Sequence, residues 1–331
     1  MKKIFLAVLA VAALASCAKE EVISYDKSPI GFGNAFVDNA TKAIYAEADD
    51  ITGFTVFGNV KGNGTGASAN TVALYGDTGA TVARTKDGNT ADLGAAWYCN
   101  VVRYWTPLCT FNFAAVANGT ATVGSDGLPA SISYTVNPTE PADLIYATAS
   151  ATTDGSSNVT ATSGSVNNGI VCFTFNHLLS KVTFNVDAAA IAKNDYSVVV
   201  KDIAVTGVVN KGTYYIVGTT DPEVAAGTWE KATDATTVSQ DYYNPDATNK
   251  YVSHLLIPVA HELGVTVTYD ILFNGTVISS VTKPGTVTHT FEKNYAYTIT
   301  ATLSALNEIL FSIEKVNGFA TPEQNDTVTI Q

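Results

Sequence analysis

Short runs of β-branched and aromatic residues recur along almost the whole chain, with Gly, Asn, Asp and Pro clusters between them. That alternation is the pattern of half-buried strands joined by turns. In the first half it predicts strands at 51–57, 71–75, 96–101, 110–116, 131–136, 143–149 and 170–175. Seven such strands suffice for a two-layer β-sandwich. In the second half it predicts 181–186, 196–208, 212–217, 251–259, 265–274, 276–281, 286–291, 296–303 and 309–316. Asn274-Gly275 between two of these runs is the signature of a tight type I′ hairpin. Only 187–192 reads as helical, for a turn or two. The fold class is therefore all-β, two sandwiches in tandem, with a boundary near residue 178 set by strand count alone.

Two further segments alternate outside these runs. Over 30–37, Ile30, Phe32 and Phe36 fall on one strand face and Gly31 and Gly33 on the other, small outside and apolar inside. At the other end, after the breakers Gly318 and Pro322, residues 326–331 place Val328 and Ile330 opposite Thr327 and Thr329.

The N-terminus follows a different logic. Lys2 and Lys3 precede an apolar stretch, 4–14, too short to be kept as a membrane span. Leu14-Ala15-Ser16-Cys17 then forms a lipobox, so residues 1–16 are read as a signal peptide and Cys17 as the lipidated first residue of the processed chain. Three cysteines remain, Cys99, Cys109 and Cys172, each among apolar neighbours. They read as small buried hydrophobes, with a Cys99–Cys109 bridge as the alternative in an oxidising compartment.

Composition removes whole classes of function. The 331 residues hold 18 Lys and Arg against 30 Asp and Glu, a net charge of −12, which leaves nothing to neutralise a nucleic-acid backbone. With 46% hydrophobic residues the chain is too apolar to be disordered.

Candidate chemistry fails at each place it is sought. His177, His254, His261 and His289 are far apart, and His261-Glu262 would need ligands from elsewhere to hold a metal. The glycines of 62–66 match neither a dinucleotide loop nor a P-loop, Lys211-Gly212 has the wrong order, and Gly164-Ser165 is not a nucleophile elbow. Trp97, Tyr98, Tyr104, Trp105, Phe111 and Phe113 could stack a sugar, but core packing is the stronger reading. No enzyme, cofactor or metal site is expected.

Five blocks taken in order resemble the fimbrillin family of type V pili. They are Ile51-Thr52-Gly53-Phe54-Thr55-Val56-Phe57-Gly58, Arg103-Tyr104-Trp105-Thr106-Pro107 with Phe111-Asn112-Phe113, and Asp143-Leu144-Ile145-Tyr146-Ala147, followed by 175–184 and 294–299. After Ile309-Leu310-Phe311-Ser312-Ile313 the family often shows a Trp, where this chain has Gly318-Phe319. The resemblance implies two transthyretin-like Greek-key sandwiches, 43–178 and 179–331, behind a lipidated propeptide, 17–42, that carries a plug strand. It implies a fimbrial subunit that reaches the outer membrane through lipid on Cys17. A trypsin-like protease would then cut it between Lys42 and Ala43, where the family commonly has Arg-Ala. The subunit would join other fimbrial subunits in an extracellular fimbrium by strand exchange, with Val328 and Ile330 on the donor strand. Open alternatives are a membrane-retained pilus anchor, for which Lys42 is an uncut loop residue, and a monomeric surface lipoprotein that binds glycan or host protein. Residues 326–331 are equally readable as an edge strand of the chain's own second sandwich.

Overall fold

A computed structural model describes residues 28–37, 51–63, 70–84, 97–138, 142–167, 169–218, 225–304, 309–317 and 326–330. Its first strands are β1 (Gly31–Val37), β2 (Gly53–Gly62), β3 (Thr71–Ala73), β4 (Ala80–Ala83), β5 (Tyr98–Cys99) and β6 (Cys109–Ala117). Next come β7 (Thr120–Val123), β8 (Pro129–Thr135), β9 (Ile145–Thr153), β10 (Val159–Ser163), β11 (Ser165–Asn167) and β12 (Ile170–His177). The second half contributes β13 (Ser180–Asp187), β14 (Tyr196–Val209), β15 (Lys211–Tyr215), β16 (Thr228–Lys231), β17 (Thr237–Asp241) and β18 (Ser253–Leu256). It ends with β19 (Ala260–Phe273), β20 (Thr276–Thr290), β21 (Tyr295–Thr302), β22 (Leu310–Asn317) and β23 (Asp326–Ile330).

The first sheet runs β1-β12-β9-β6-β2-β4-β5, with β3, β10 and β11 added on β2, β9 and β12. β6 is its middle, antiparallel to β2 on one edge and to β9 on the other. The sheet folds over on itself at β12. That strand starts against β1 and β11 and meets β9 only through Asn176 and His177. The two layers thus face each other across Phe54, Phe113 and Phe173, with Phe54 and Phe173 edge to face at 5.5 Å. Each such ring, fully buried, contributes about 1.5–3 kcal/mol before ordering costs.

In the second half, β18-β13-β21-β22-β23 packs against β17-β14-β19-β20. Alternate residues of β19, Leu263, Val265, Val267 and Tyr269, meet Phe184 and Ile299 in this core. Asn274 and Gly275 have φ of 47° and 77°, both left-handed, and close the β19–β20 hairpin as their sequence predicts.

A third sheet, β16-β15-β8-β7, takes two strands from each side of residue 178. β8 and β15 pair over five residues, from Ser131 with Tyr215 to Thr135 with Lys211. Beneath them Ile132, Tyr134, Tyr214, Leu178, Leu179 and Ile257 form a separate core.

The predicted strand positions hold in outline and differ in detail. Residues 276–281 and 286–291 are one strand, because Pro284 sits on the outer edge of β20, where no ladder partner needs its N–H. β4, β7, β10, β11, β16 and β17 go unpredicted, since strands of three to five residues are too short to carry a clear hydrophobic period. Residues 188–191 make a turn closed by Ala192 N to Ala188 O, and the predicted helical turn goes no further.

Replacing Ile132, fully buried in the shared core, by Ala should cost about 2–5 kcal/mol. Chemical denaturation measures it, and a loss under about 1 kcal/mol would show the third core to be loosely packed.

Candidate functional site

The segment before β2 occupies a slot in the first sandwich. Residues 28–30 lie antiparallel to 103–105: Ile30 N–H donates to Arg103 O at 2.8 Å and Trp105 N–H to Ser28 O at 3.1 Å. β1 then runs parallel to β12, with Phe32 opposite Val171. The carbonyl of Gly169 ties the two together, accepting from Gly31 N at 3.4 Å and from Trp105 Nε1 at 3.0 Å. Trp105 is itself in the core, against Phe111 and Phe113, which fixes the 103–105 wall.

Ile30 and Phe32 are each 5% exposed and belong to the first core. Phe32 stacks on Phe173 at 6.0 Å and meets Phe113 edge to face at 6.2 Å, with Tyr75 at 6.4 Å. The ladder slips between Gly33 and Phe36, so Phe36 has Thr174 as its Cα partner and Val37 has Phe175. The Phe36 side chain lies outside what the structure describes. Burial raises the phenol of Tyr75 and the thiol of Cys99, so both groups beside the slot stay neutral. The Arg103 guanidinium lies 5.9 Å from the Tyr75 ring and donates to Leu74 O, holding the wall to the β3 side.

Cys17, Lys42 and Ala43 lie outside the described residues. Val328 and Ile330 fall on β23, which pairs with β22 at the edge of its own five-stranded sheet, opposite Ile313 and Phe311. The structure therefore seats the two terminal strands in different sheets and does not bring them together. Sequence reasoning missed the 103–105 wall and Gly169. A Trp whose indole N–H needs a buried acceptor was the signal for them.

Other candidate chemistry resolves into packing. Trp105, Phe111 and Phe113 are core residues, while Tyr98 and Tyr104 are exposed. The thiols of Cys99, Cys109 and Cys172 are free. Among the described residues no group of three or more His, Cys, Asp and Glu is placed to hold a metal ion. A cleft of about 500 Å³ between the start of β2 and the end of β8 is lined by residues such as Thr55, Thr81, Thr120 and Ser133, with no carboxylate, imidazole or thiol.

Two buried polar arrangements are structural. Asp143 and His177, both fully buried, meet at 2.5 Å where β12 ends, and burial raises the Asp143 carboxyl. His261 Nδ1 accepts from Val209 N–H at 3.3 Å, which leaves Nε2–H to donate to Ile257 O at 2.9 Å, the neutral tautomer.

Burial lowers His254, His261 and His289 below the ordinary 6.5. A depressed pKa means that the unfolded chain binds protons first as pH falls. Their contribution is thus present above about 6.5 and is lost progressively below it, each group costing at most about 1.4 kcal/mol per pH unit. Urea denaturation at pH 7 and pH 5 should show lower stability at pH 5, with the loss in the second half. Equal stability at both would contradict it.

Compared with known proteins, residues 41–316 match the fimbrillin-like family. No curated protein matches the chain. Among solved structures, a Bacteroides uniformis protein assigned to cell adhesion aligns with 88% of this chain and 98% of its own, at 15% identity and a TM-score of 0.49. A fimbrial assembly protein from Parabacteroides distasonis aligns with 92% and 100%, at 14% identity and a TM-score of 0.39. The fimbrial anchor protein Mfa2 from Porphyromonas gingivalis aligns with 88% and 98%, at 12% identity and a TM-score of 0.34. The family match takes in β2 to β21 whole and nearly all of β22, and so all three cores apart from the residues that β1 and its approach insert into the first. On that match the chain belongs to the fimbrillin-like family.

Proposed function

We propose that the chain is a structural subunit of a cell-surface fimbria that supports adhesion, exported as a lipoprotein on Cys17 and joined to other subunits by proteolysis and strand exchange. One observation carries this reading. β1 and the residue before it precede the family-matched segment, which begins at residue 41, yet Ile30 and Phe32 complete the core of the first sandwich. A strand that is seated in the fold but lies outside the family-matched segment fits the role of a removable part.

Its removal has a definite physical consequence. Cutting between Lys42 and Ala43 would separate β1 from the rest of the chain, and its loss uncovers the places of Ile30 in the core and of Phe32 beside Phe113 and Phe173. Each is worth about 1.5–3 kcal/mol of burial, and the outer edge of β12 loses its ladder as well. A strand from a neighbour restores both. Such a contact is head to tail and builds an open filament. β23 is the proposed donor, since it holds its own sheet only as an edge strand on β22. The division at residue 178 enters this reading as two sandwiches that share the β8–β15 ladder.

A membrane-retained anchor is the second reading, favoured by how fully β1 is seated. N-terminal sequencing of subunits from purified fibres decides between them: Ala43 is expected as the first residue, and a start at Cys17 would favour the anchor. A truncation ending at Gln324 should fail to polymerise after processing, as light scattering would show. Polymerisation at the wild-type rate would remove β23 as the donor.

A further inference from the structure

The two glycines of β1 are there for space. Neither Gly31 nor Gly33 has a positive φ, so their backbone suits any residue. In the ladder Gly31 partners Ile170, and Gly33 partners Cys172. The Ile170 side chain extends across both. A Cβ on Gly31 would stand 3.5 Å from Ile170 Cγ1, an ordinary contact, but one on Gly33 would stand 3.0 Å from Cγ2, at the limit of what a real Cβ shows. A Cβ at Gly33 would need the Ile170 side chain to give by a few tenths of an ångström. Yet Ile170 is 43% exposed and is not a core residue. The backbone just before it is held at Gly169, whose carbonyl accepts from Trp105 Nε1 and Gly31 N–H.

We infer that Ile170 is a steric sieve on the β1 slot, a specificity determinant that admits strands with small residues at the two alternate positions beneath it and turns away strands with branched side chains there. The occupant it fits is the chain's own segment 30–33, whose order is apolar, small, apolar, small, Ile30-Gly31-Phe32-Gly33. The terminal strand does not meet that rule, because Thr327 and Thr329 alternate with Val328 and Ile330. With Ile170 over the slot β1 is held, and a threonine-bearing strand such as β23 is kept out until the Ile170 side chain turns outward. Admission of such a strand requires the Ile170 side chain to turn outward, and its exposed side leaves room for that. The use of the sieve in assembly rests on the strand-exchange reading above, whereas its steric basis does not.

The test uses the full chain and amide hydrogen exchange of β1. Gly33→Ala adds one methyl at the 3.0 Å contact and should speed exchange of the β1 amides several-fold, and Gly33→Val by roughly tenfold or more. Adding Ile170→Ala to either should bring exchange back toward the wild-type rate, a rescue that a general loss of stability would not give. If Gly33→Val does not fold, the Gly33→Ala pair alone decides the matter. Exchange unchanged in Gly33→Ala, or equally fast with and without Ile170→Ala, overturns the sieve. Whether processed copies then join, read by light scattering, bears on the assembly reading separately, so the two fail independently.

Discussion

A β-strand has two hydrogen-bonding edges and two faces, and β12 uses both edges and buries one face. One edge goes to β11 and then, at Asn176 and His177, to β9, while the other is filled by β1. One face carries Val171, Phe173 and Phe175 into the first core. From its end the chain passes through Leu178 and Leu179 into the third core and on to β13. The slot, the closure of the first sandwich and the passage to the second half all depend on this strand. Buried unpaired backbone is expensive, so an edge of this kind next to a core demands an occupant. The fold supplies one from the residues just before its family-matched region.

The third core binds the halves in a way that a linker could not. Besides the β8–β15 ladder, Trp229 Nε1 donates to Leu178 O at 2.8 Å, and within the second half Ser180 Oγ donates to Glu292 O at 2.8 Å. Lys293 Nζ reaches Tyr214 OH and Gly227 O, and sits 4.6 Å from the Tyr214 ring. The polar groups at this junction are tied to backbone carbonyls as well as to one another, which makes their geometry insensitive to the identity of most surface residues.

The sequence made the fold class and most long strands legible, because alternation at β2, β6, β19 and β21 reports directly which side is buried. It also marked 30–37 as a strand with one small and one apolar side, and Ile30 and Phe32 are in the core. What stayed hidden was pairing. The Trp105 indole signals a buried acceptor, but not that 103–105 will hold Ser28 and Ile30, since a contact between residues so distant in sequence is made by tertiary structure and leaves no local period. The sharing of a sheet between β8 and β15 was hidden for the same reason. The slip between Gly33 and Phe36 belongs to the ladder, and no one-strand pattern can show it.

The β8–β15 ladder also bears on mechanics. Tension applied between the first and second halves need not pass through the single covalent path at Leu178 to Ser180 alone, because five residue pairs of antiparallel backbone run beside it. Loaded along the strands, such a ladder strains its hydrogen bonds together and does not open them one by one. The chain then stretches as one stiff link, with its compliance confined to whatever joins it to the next.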